Sequence, residues 1–320
     1  MIRSSHYPIS STVLIPLAVL GILLAAGCSQ TGPGSTAAPP QGATPAGTRP
    51  PDIAPHNTSS GSFSPLIQAV QKGDADATKQ LLAGGTDVNA AAPDGTTPLM
   101  HAANEQVAKM LLEKGADVNV KDKLGRTALI HAAGDNDRVL GGQGGANDDA
   151  LVKLLLSRHA DPNVISQDGT TALIAAIMHH KTVSGPLDIS GSENARLKKV
   201  RLLLEAGANV NTQTPSETED HLKVAATPLM AAAINGDPHL LQLLIDKGAD
   251  VNSKDKSGNT ALLYAARNGS ADAVQLLIAH HADVNVRNEQ GKSALNEATR
   301  MNTHPLAKCA DLLRGAGAKE

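Results

Sequence analysis

Histidine can ligate a metal or move a proton near neutral pH, and this chain carries twelve of them. Two adjacent pairs stand out, His179-His180 and His280-His281. Neighbouring residues on a helix face different directions, so such a pair is poor bidentate geometry for one ion. Neither Cys-x-x-Cys nor His-Glu-x-x-His spacing accompanies them. Gly-x-Ser-x-Gly, the nucleotide-triphosphate loop and the dinucleotide fingerprint are missing too. The glycine-rich tract Gly141-Gly142-Gln143-Gly144-Gly145 lacks a following Lys-Ser/Thr and reads as a flexible loop. An enzymatic reading, as a loop-borne hydrolase or metal site, would need His131, Asp135, Asp137, His179 and His180 to converge on one point. The two cysteines, Cys28 and Cys309, are distant and unlike in context, which does not suggest a disulfide framework. Cys309 lies in LAKCADLL, at a helical spacing that favours burial and a structural thiol. The sequence therefore calls for no catalytic residue, cofactor or metal.

Composition narrows the remaining classes. The net charge of −3 gives no basic field to collect nucleic acid. Of 320 residues 41% are hydrophobic, yet Tyr7, Phe63 and Tyr264 are the whole aromatic set. A core without aromatic bulk must use Leu, Ala, Val and Ile, which suits thin stacked helical layers.

The amino terminus reads as an address. After Arg3, residues 13–27 form an almost unbroken apolar run, VLIPLAVLGILLAAG. It is short for a bilayer span, and Pro16 interrupts it. A charged start, an apolar middle and small residues at the end predict a signal peptide over 1–27. Leu24-Ala25-Ala26-Gly27-Cys28 resembles the lipobox of bacterial lipoproteins. That resemblance implies lipidation of the Cys28 thiol and cleavage just before it. The commonest lipobox has Leu three places before the cysteine; here Ala25 stands there and Leu24 one place further back. The alternative is an ordinary cleaved signal and a soluble periplasmic or secreted protein. Ser29, where an Asp would retain a lipoprotein at the inner membrane, implies by the same resemblance the periplasmic face of the outer membrane. Residues 28–61, rich in Gly, Pro, Ser, Thr and Ala, read as a flexible tether.

From Phe63 onward the chain is periodic. One phrase recurs at 81 (LLAGGTDVN), 111 (LLEKGADVN), 155 (LLSRHADPN), 203 (LLEAGANVN), 244 (LIDKGADVN) and 277 (LIAHHADVN). In the unit 253–285, Thr260 can cap a short helix with an apolar stripe of Ala261, Leu262, Ala265 and Ala266. Asn268-Gly269 breaks it, and a second helix follows from Ala271 to Ala279 with Val274, Leu277 and Ile278 on one face. Helices this short cannot each bury a face alone, but stacked on neighbours they form a continuous layer. The tracts DGTTPL (94–99), GRTAL (125–129), DGTTAL (168–173), TPL (227–229) and GNTAL (258–262) resemble the ankyrin repeat. The resemblance covers residues 62–320 and implies an all-α solenoid of about seven stacked helix pairs with short β-hairpin fingers. The first unit, 62–91, lacks a recognisable finger and reads as an amino cap; 286–320 reads as the carboxyl cap. Where family repeats often carry His after Thr-Pro-Leu, this chain has Met100, Ile130, Ile174, Met230, Leu263 and Asn296. His101 and His131 sit one place later, so the usual histidine hydrogen bond is expected to be absent or rearranged. His159 and His281 occupy the helix-ending glycine position, which histidine tolerates.

The steps between phrases are 30, 44, 48, 41 and 33 residues. The short step suggests a trimmed inter-helix turn at NEQVA (104–108). Segments 134–150 and 179–195 fall between first and second helices of adjacent units and should emerge side by side. Segment 212–226 enlarges a finger and carries Glu217, Glu219 and Asp220. Solenoid insertions often mark binding faces, but neutral loop growth is also inexpensive. Lys121-Asp122-Lys123 and Lys254-Asp255-Lys256 share one finger position, with Arg126, Arg287 and Lys292 nearby. Lys121, Lys123, Arg126, Gln167, Asp168, Lys254, Lys256 and Arg287 are thus the candidate partner-binding residues. The expected function is a monomeric, non-enzymatic protein-interaction scaffold, lipid-anchored in the bacterial envelope. Inhibition of, or immunity to, an envelope toxin or enzyme is the alternative.

Overall fold

The computed structural model describes residues 63–134, 148–178, 192–214, 227–300 and 303–319. The signal, Cys28 and the tether lie outside them, as do 135–147, 179–191 and 215–226. Seven successive helix pairs follow one another in the described residues. They are α1 (Pro65–Gln71) with α2 (Ala75–Ala83), and a 3₁₀ turn (Pro98–His101) with α3 (Glu105–Glu113). Next come α4 (Ala128–Ala133) with α5 (Asp148–Ser157), and α6 (Ala172–Met178) with α7 (Ser192–Glu205). The series ends with α8 (Pro228–Asn235) and α9 (Pro238–Asp246), α10 (Ala261–Arg267) and α11 (Ala271–Ala279), and α12 (Ala294–Thr299) and α13 (His304–Gly315).

Local chemistry fixes the helix ends. Pro98 and Pro228 open their helices, where no N–H is needed. The Thr260 hydroxyl accepts from Leu263 N–H at 3.4 Å, as its position predicted. His159 and His281 both adopt φ +64°. The second unit departs from expectation. NEQVA is not a turn, because Asn104 caps α3 by accepting from Val107 N–H at 3.0 Å. The missing residues come instead from the first helix, reduced to the single 3₁₀ turn.

First helices form an inner layer and second helices an outer one. The apolar stripe expected on the inner helix α10 is too narrow: Ala261 to Ala266 are all buried, Leu263 and Tyr264 included. Inner helices are covered by both neighbouring units and by their own outer helix, so few sides remain wet. Alanine-rich sequence lets them approach closely. Outer helices keep a single apolar face, such as Leu240, Leu241, Leu243 and Leu244 of α9.

The recurring phrase does more than end a helix. Its asparagine clips each unit to the next. Asn89, Asn119, Asn163, Asn211 and Asn252 donate from Nδ2 to the carbonyls of Gly115, His159, Gly207, Gly248 and His281, at 3.0–3.3 Å. Their Oδ1 atoms accept from the N–H groups of Asp117, Asp161, Asn209, Asp250 and Asp283, at 2.8–3.0 Å. The ladder ends where Asn285 accepts from Lys319 N–H at 2.9 Å.

Candidate partner-binding face

Each finger is a tight turn ahead of an inner helix. In the second, Asp122 N–H donates to Arg126 O and Gly125 N–H to Asp122 O, both at 2.9 Å. The expected hairpin is reduced to this closure; among the described residues the one strand-like pairing is the Arg287–Ser293 bridge. The central aspartate of each Lys-Asp-Lys tract turns inward. Asp122 is buried and accepts from Leu124 N–H (2.9 Å) and Arg126 N–H (2.8 Å), with His131 Nε2 at 3.0 Å. Asp255 accepts from Ser257 N–H (2.9 Å), Asn259 N–H (2.8 Å) and the Tyr264 hydroxyl (2.6 Å). His131 and Tyr264 both stand nine residues after their aspartate. His101 follows a related pattern, with Nε2 2.8 Å from Thr96 Oγ1 and its ring packed edge-on to Phe63. The family's histidine bond is therefore rearranged onto the later position. Burial, then repulsion from His131, lowers the His101 pKa against the opposing pull of Asp94.

With the aspartates turned in, the flanking lysines turn out. Lys121, Lys123, Lys254 and Lys256 are exposed, as is Gln167. Neighbouring fingers are joined by backbone bonds: Lys123 N–H to Asp94 O (3.0 Å), Gln167 N–H to Leu124 O (2.8 Å) and Glu289 N–H to Ser257 O (3.0 Å). The approach is close enough that a Cβ on Gly95, itself at φ +83°, would lie 2.9 Å from Lys123 N. Arg126 and Asp168 are half-buried and form an ion pair across two fingers. Burial works to raise the Asp168 pKa. The Ser166 hydroxyl, the Arg126 guanidinium and Thr170 N–H outweigh it and bring the value down to about 2. Arg287 is exposed and donates to Gly291 O at 2.9 Å and Asn296 Oδ1 at 3.3 Å.

Two contributors escaped sequence reasoning. Leu124 and Ile165, on adjacent fingers, are 50% and 44% exposed. Ile165 aligns with Lys121 and Lys254, so an apolar residue at a normally charged position was the available signal.

Of the five chemical candidates, the described residues include one. His131 is committed to Asp122, while Asp135, Asp137, His179 and His180 lie outside the described residues. Among the described residues no group of three His, Cys, Asp or Glu could hold a metal. Cys309 is buried, and burial pushes its thiol pKa up. The two inner-outer insertions, expected over 134–150 and 179–195, depart from the ends of α4 and α6, which pack together; residues 135–147 and 179–191 lie outside the described residues, while 148–150 and 192–195 belong to the outer helices α5 and α7.

A family model described as ankyrin repeats (3 copies) matches residues 64–140 and 229–319, just over half of the chain. A comparison with curated proteins finds no match. The human ASB11 ankyrin repeat domain is similar in structure, with TM-score 0.61 and 24% identity over 81% of this chain and 100% of that one. The ankyrin repeat domain of Bcl-3, a member of the IkappaB family, gives 0.57 and 24% over 79% and 99%.

Proposed function

The chain belongs to the ankyrin-repeat family, and we propose that it is a non-enzymatic scaffold that binds another protein along its finger edge while held by lipid to a bacterial envelope membrane. The observation that carries this reading is the division of labour within the Lys-Asp-Lys tracts. Each aspartate is consumed in building its finger, and the lysines beside it are left exposed. Backbone bonds between fingers hold such side chains on a rigid edge, which reduces the ordering entropy lost on binding. Lys121, Lys123, Gln167, Lys254 and Lys256 supply polar contacts, and Leu124 and Ile165 supply apolar area. Arg126 and Asp168 hold two fingers in register.

In this reading residues 1–27 are removed, Cys28 carries the lipid, and 28–61 space a monomeric solenoid from the periplasmic face of the outer membrane. Acyl chains contribute roughly 0.8 kcal/mol per buried CH₂, and stable anchoring needs more than one chain, which a triacylated terminus supplies. Crosslinking in intact cells should recover a specific envelope protein, and glutamine at Lys121, Lys123, Lys254 and Lys256 together should diminish that capture. An unchanged captured set would overturn the finger-edge assignment. Cys28→Ala should move the cleaved protein from the membrane to the soluble fraction; retention at the membrane would overturn the lipid anchor.

A further inference from the structure

The charge of the chain is unevenly placed. The finger and inner-helix segments 254–267 and 287–300 carry Lys254, Lys256, Arg267, Arg287, Lys292 and Arg300 against Asp255, Glu289 and Glu297. On the outer side, by contrast, the signs are mixed: Asp246, Asp250, Asp272 and Asp283 are exposed, and so are Lys247, Lys308 and Arg314. A chain of net charge −3 thus presents a cationic face on its last two finger-bearing units.

The centre of that face is organised around one carboxylate. Glu297, on α12, is only 3% exposed. Arg267 grips it from Nε and a terminal nitrogen at 3.2 Å each, while Lys292 and Arg300 stand at 3.9 Å. Arg300 also donates to Arg267 O at 3.1 Å, and Arg267 lies over the Tyr264 ring at 5.8 Å. One buried charge therefore positions three cations and neutralises one of them. Lys292 and Arg300 remain about half exposed, at 53% and 45%.

We propose that this face docks an acidic peptide segment of the partner protein. The inference rests on the scaffold reading above and names the chemistry of what that scaffold binds. The Lys292 ammonium and the Arg300 guanidinium each stand 3.9 Å from an oxygen of the one Glu297 carboxylate, so they lie within about 10 Å of each other. An extended segment of about three residues covers that length. Glu297 is too buried to compete for ligand, and it draws Lys292 and Arg300 to its two separate oxygens, so two carboxylates of one segment can each meet one cation. A nucleic acid or an anionic membrane extends beyond two repeats and needs a larger cationic field than a chain of net charge −3 supplies. A short acidic peptide needs only these two units.

The test uses the full chain in detergent with a fluorescent Glu-rich peptide, followed by anisotropy. The double variant Lys292→Gln/Arg300→Gln should weaken binding about tenfold, the loss expected for two screened ion pairs, with an unchanged circular dichroism spectrum. The matched Gln-rich peptide should not bind, and Lys308→Gln on the outer helix should change nothing. Equal peptide affinity in the double variant would overturn the inference. So would single-stranded DNA or phosphatidylglycerol vesicles binding more tightly than the peptide with the same sensitivity to the variant. In cells, capture that survives the double variant but is lost with the lysine-rim variant overturns this inference and leaves the scaffold reading standing; capture indifferent to both overturns the scaffold reading.

Discussion

Replacing Asn163 with alanine isolates the clip between units. Asn163 Nδ2 donates to Gly207 O at 3.0 Å, and its Oδ1 accepts from Asn209 N–H at 2.8 Å. Its own backbone N–H, bonded to Asp161 Oδ1 at 2.9 Å, is untouched by the substitution. Two hydrogen bonds between neighbouring units are lost. A hydrogen bond contributes about 0.5–1.5 kcal/mol net, and this site is exposed, so water replaces part of what is removed. We expect a loss of about 2 kcal/mol. Asn285→Ala is the internal calibrant: at the end of the ladder, Asn285 accepts one repeat-to-repeat bond, from Lys319 N–H, and its loss should cost about 1 kcal/mol. Urea unfolding followed by circular dichroism gives both values. An interior break should also uncouple the two sides of the stack, so the Asn163 variant should broaden or split its transition where the Asn285 variant does not. Equal midpoints for the two variants, or an Asn163 variant within about 0.3 kcal/mol of the parent, would refute the claim that the phrase couples units.

Gly95→Ala should destabilise by about 2–3 kcal/mol, since strain at φ +83° adds to a 2.9 Å approach to Lys123 N, whereas Gly291→Ala, at φ +73° with open space around it, should cost about 1 kcal/mol in the same thermal scans. The Asp168 carboxyl has a folded pKa of about 2, below its ordinary 3.8. Its stabilisation is therefore present above about pH 4 and lost as pH falls toward 2; Asp168→Asn should lower stability at pH 7 and flatten that acid limb in a stability-versus-pH titration. Arg267→Ala leaves Glu297 buried with only its more distant cations and should cost about 2–3 kcal/mol by urea unfolding. Cys309, buried in α13, should resist alkylation in the native protein and react on denaturation, as mass spectrometry of the Cys309 peptide would show.

What the sequence made legible was local. The Ala271–Ala279 helix was readable to its last residue because the apolar stripe, the Asn268-Gly269 break and the helix-ending His281 all lie within one unit. NEQVA looked like a turn although its signal is local: Asn is a preferred N-cap, and Asn104 accepts from Val107 N–H three residues on. The other failures share a non-local cause. Lys-Asp-Lys looked like uniform surface charge, yet Asp122 finds His131 and Asp255 finds Tyr264 only once the finger folds onto its helix. Arg126 and Asp168 were both visible as charged finger residues, but 42 residues separate the partners of that ion pair. The Glu297 cluster drew cations from two units and had no motif at all.

The asparagine ladder also explains why the phrase keeps its form while the gaps between its copies vary. The side chain of Asn89 reaches 26 residues ahead, that of Asn119 reaches 40, that of Asn163 44, and that of Asn252 29, yet the bonds are all 3.0–3.3 Å long. The stack is therefore held at one spacing whatever the chain does between contacts. Closure entropy rises slowly with loop length, so extra residues are tolerated wherever they do not sit in a repeat-to-repeat bond. The two longest steps take theirs between inner and outer helix, after α4 and α6, at positions that contain none of the ladder asparagines. Residues of the phrase itself have no such freedom, because the same asparagine must donate to one carbonyl and accept from an N–H two residues beyond it. Selection for a common spacing fixes the phrase, and whatever distinguishes one repeat from the next is left to fingers, inner faces and insertions.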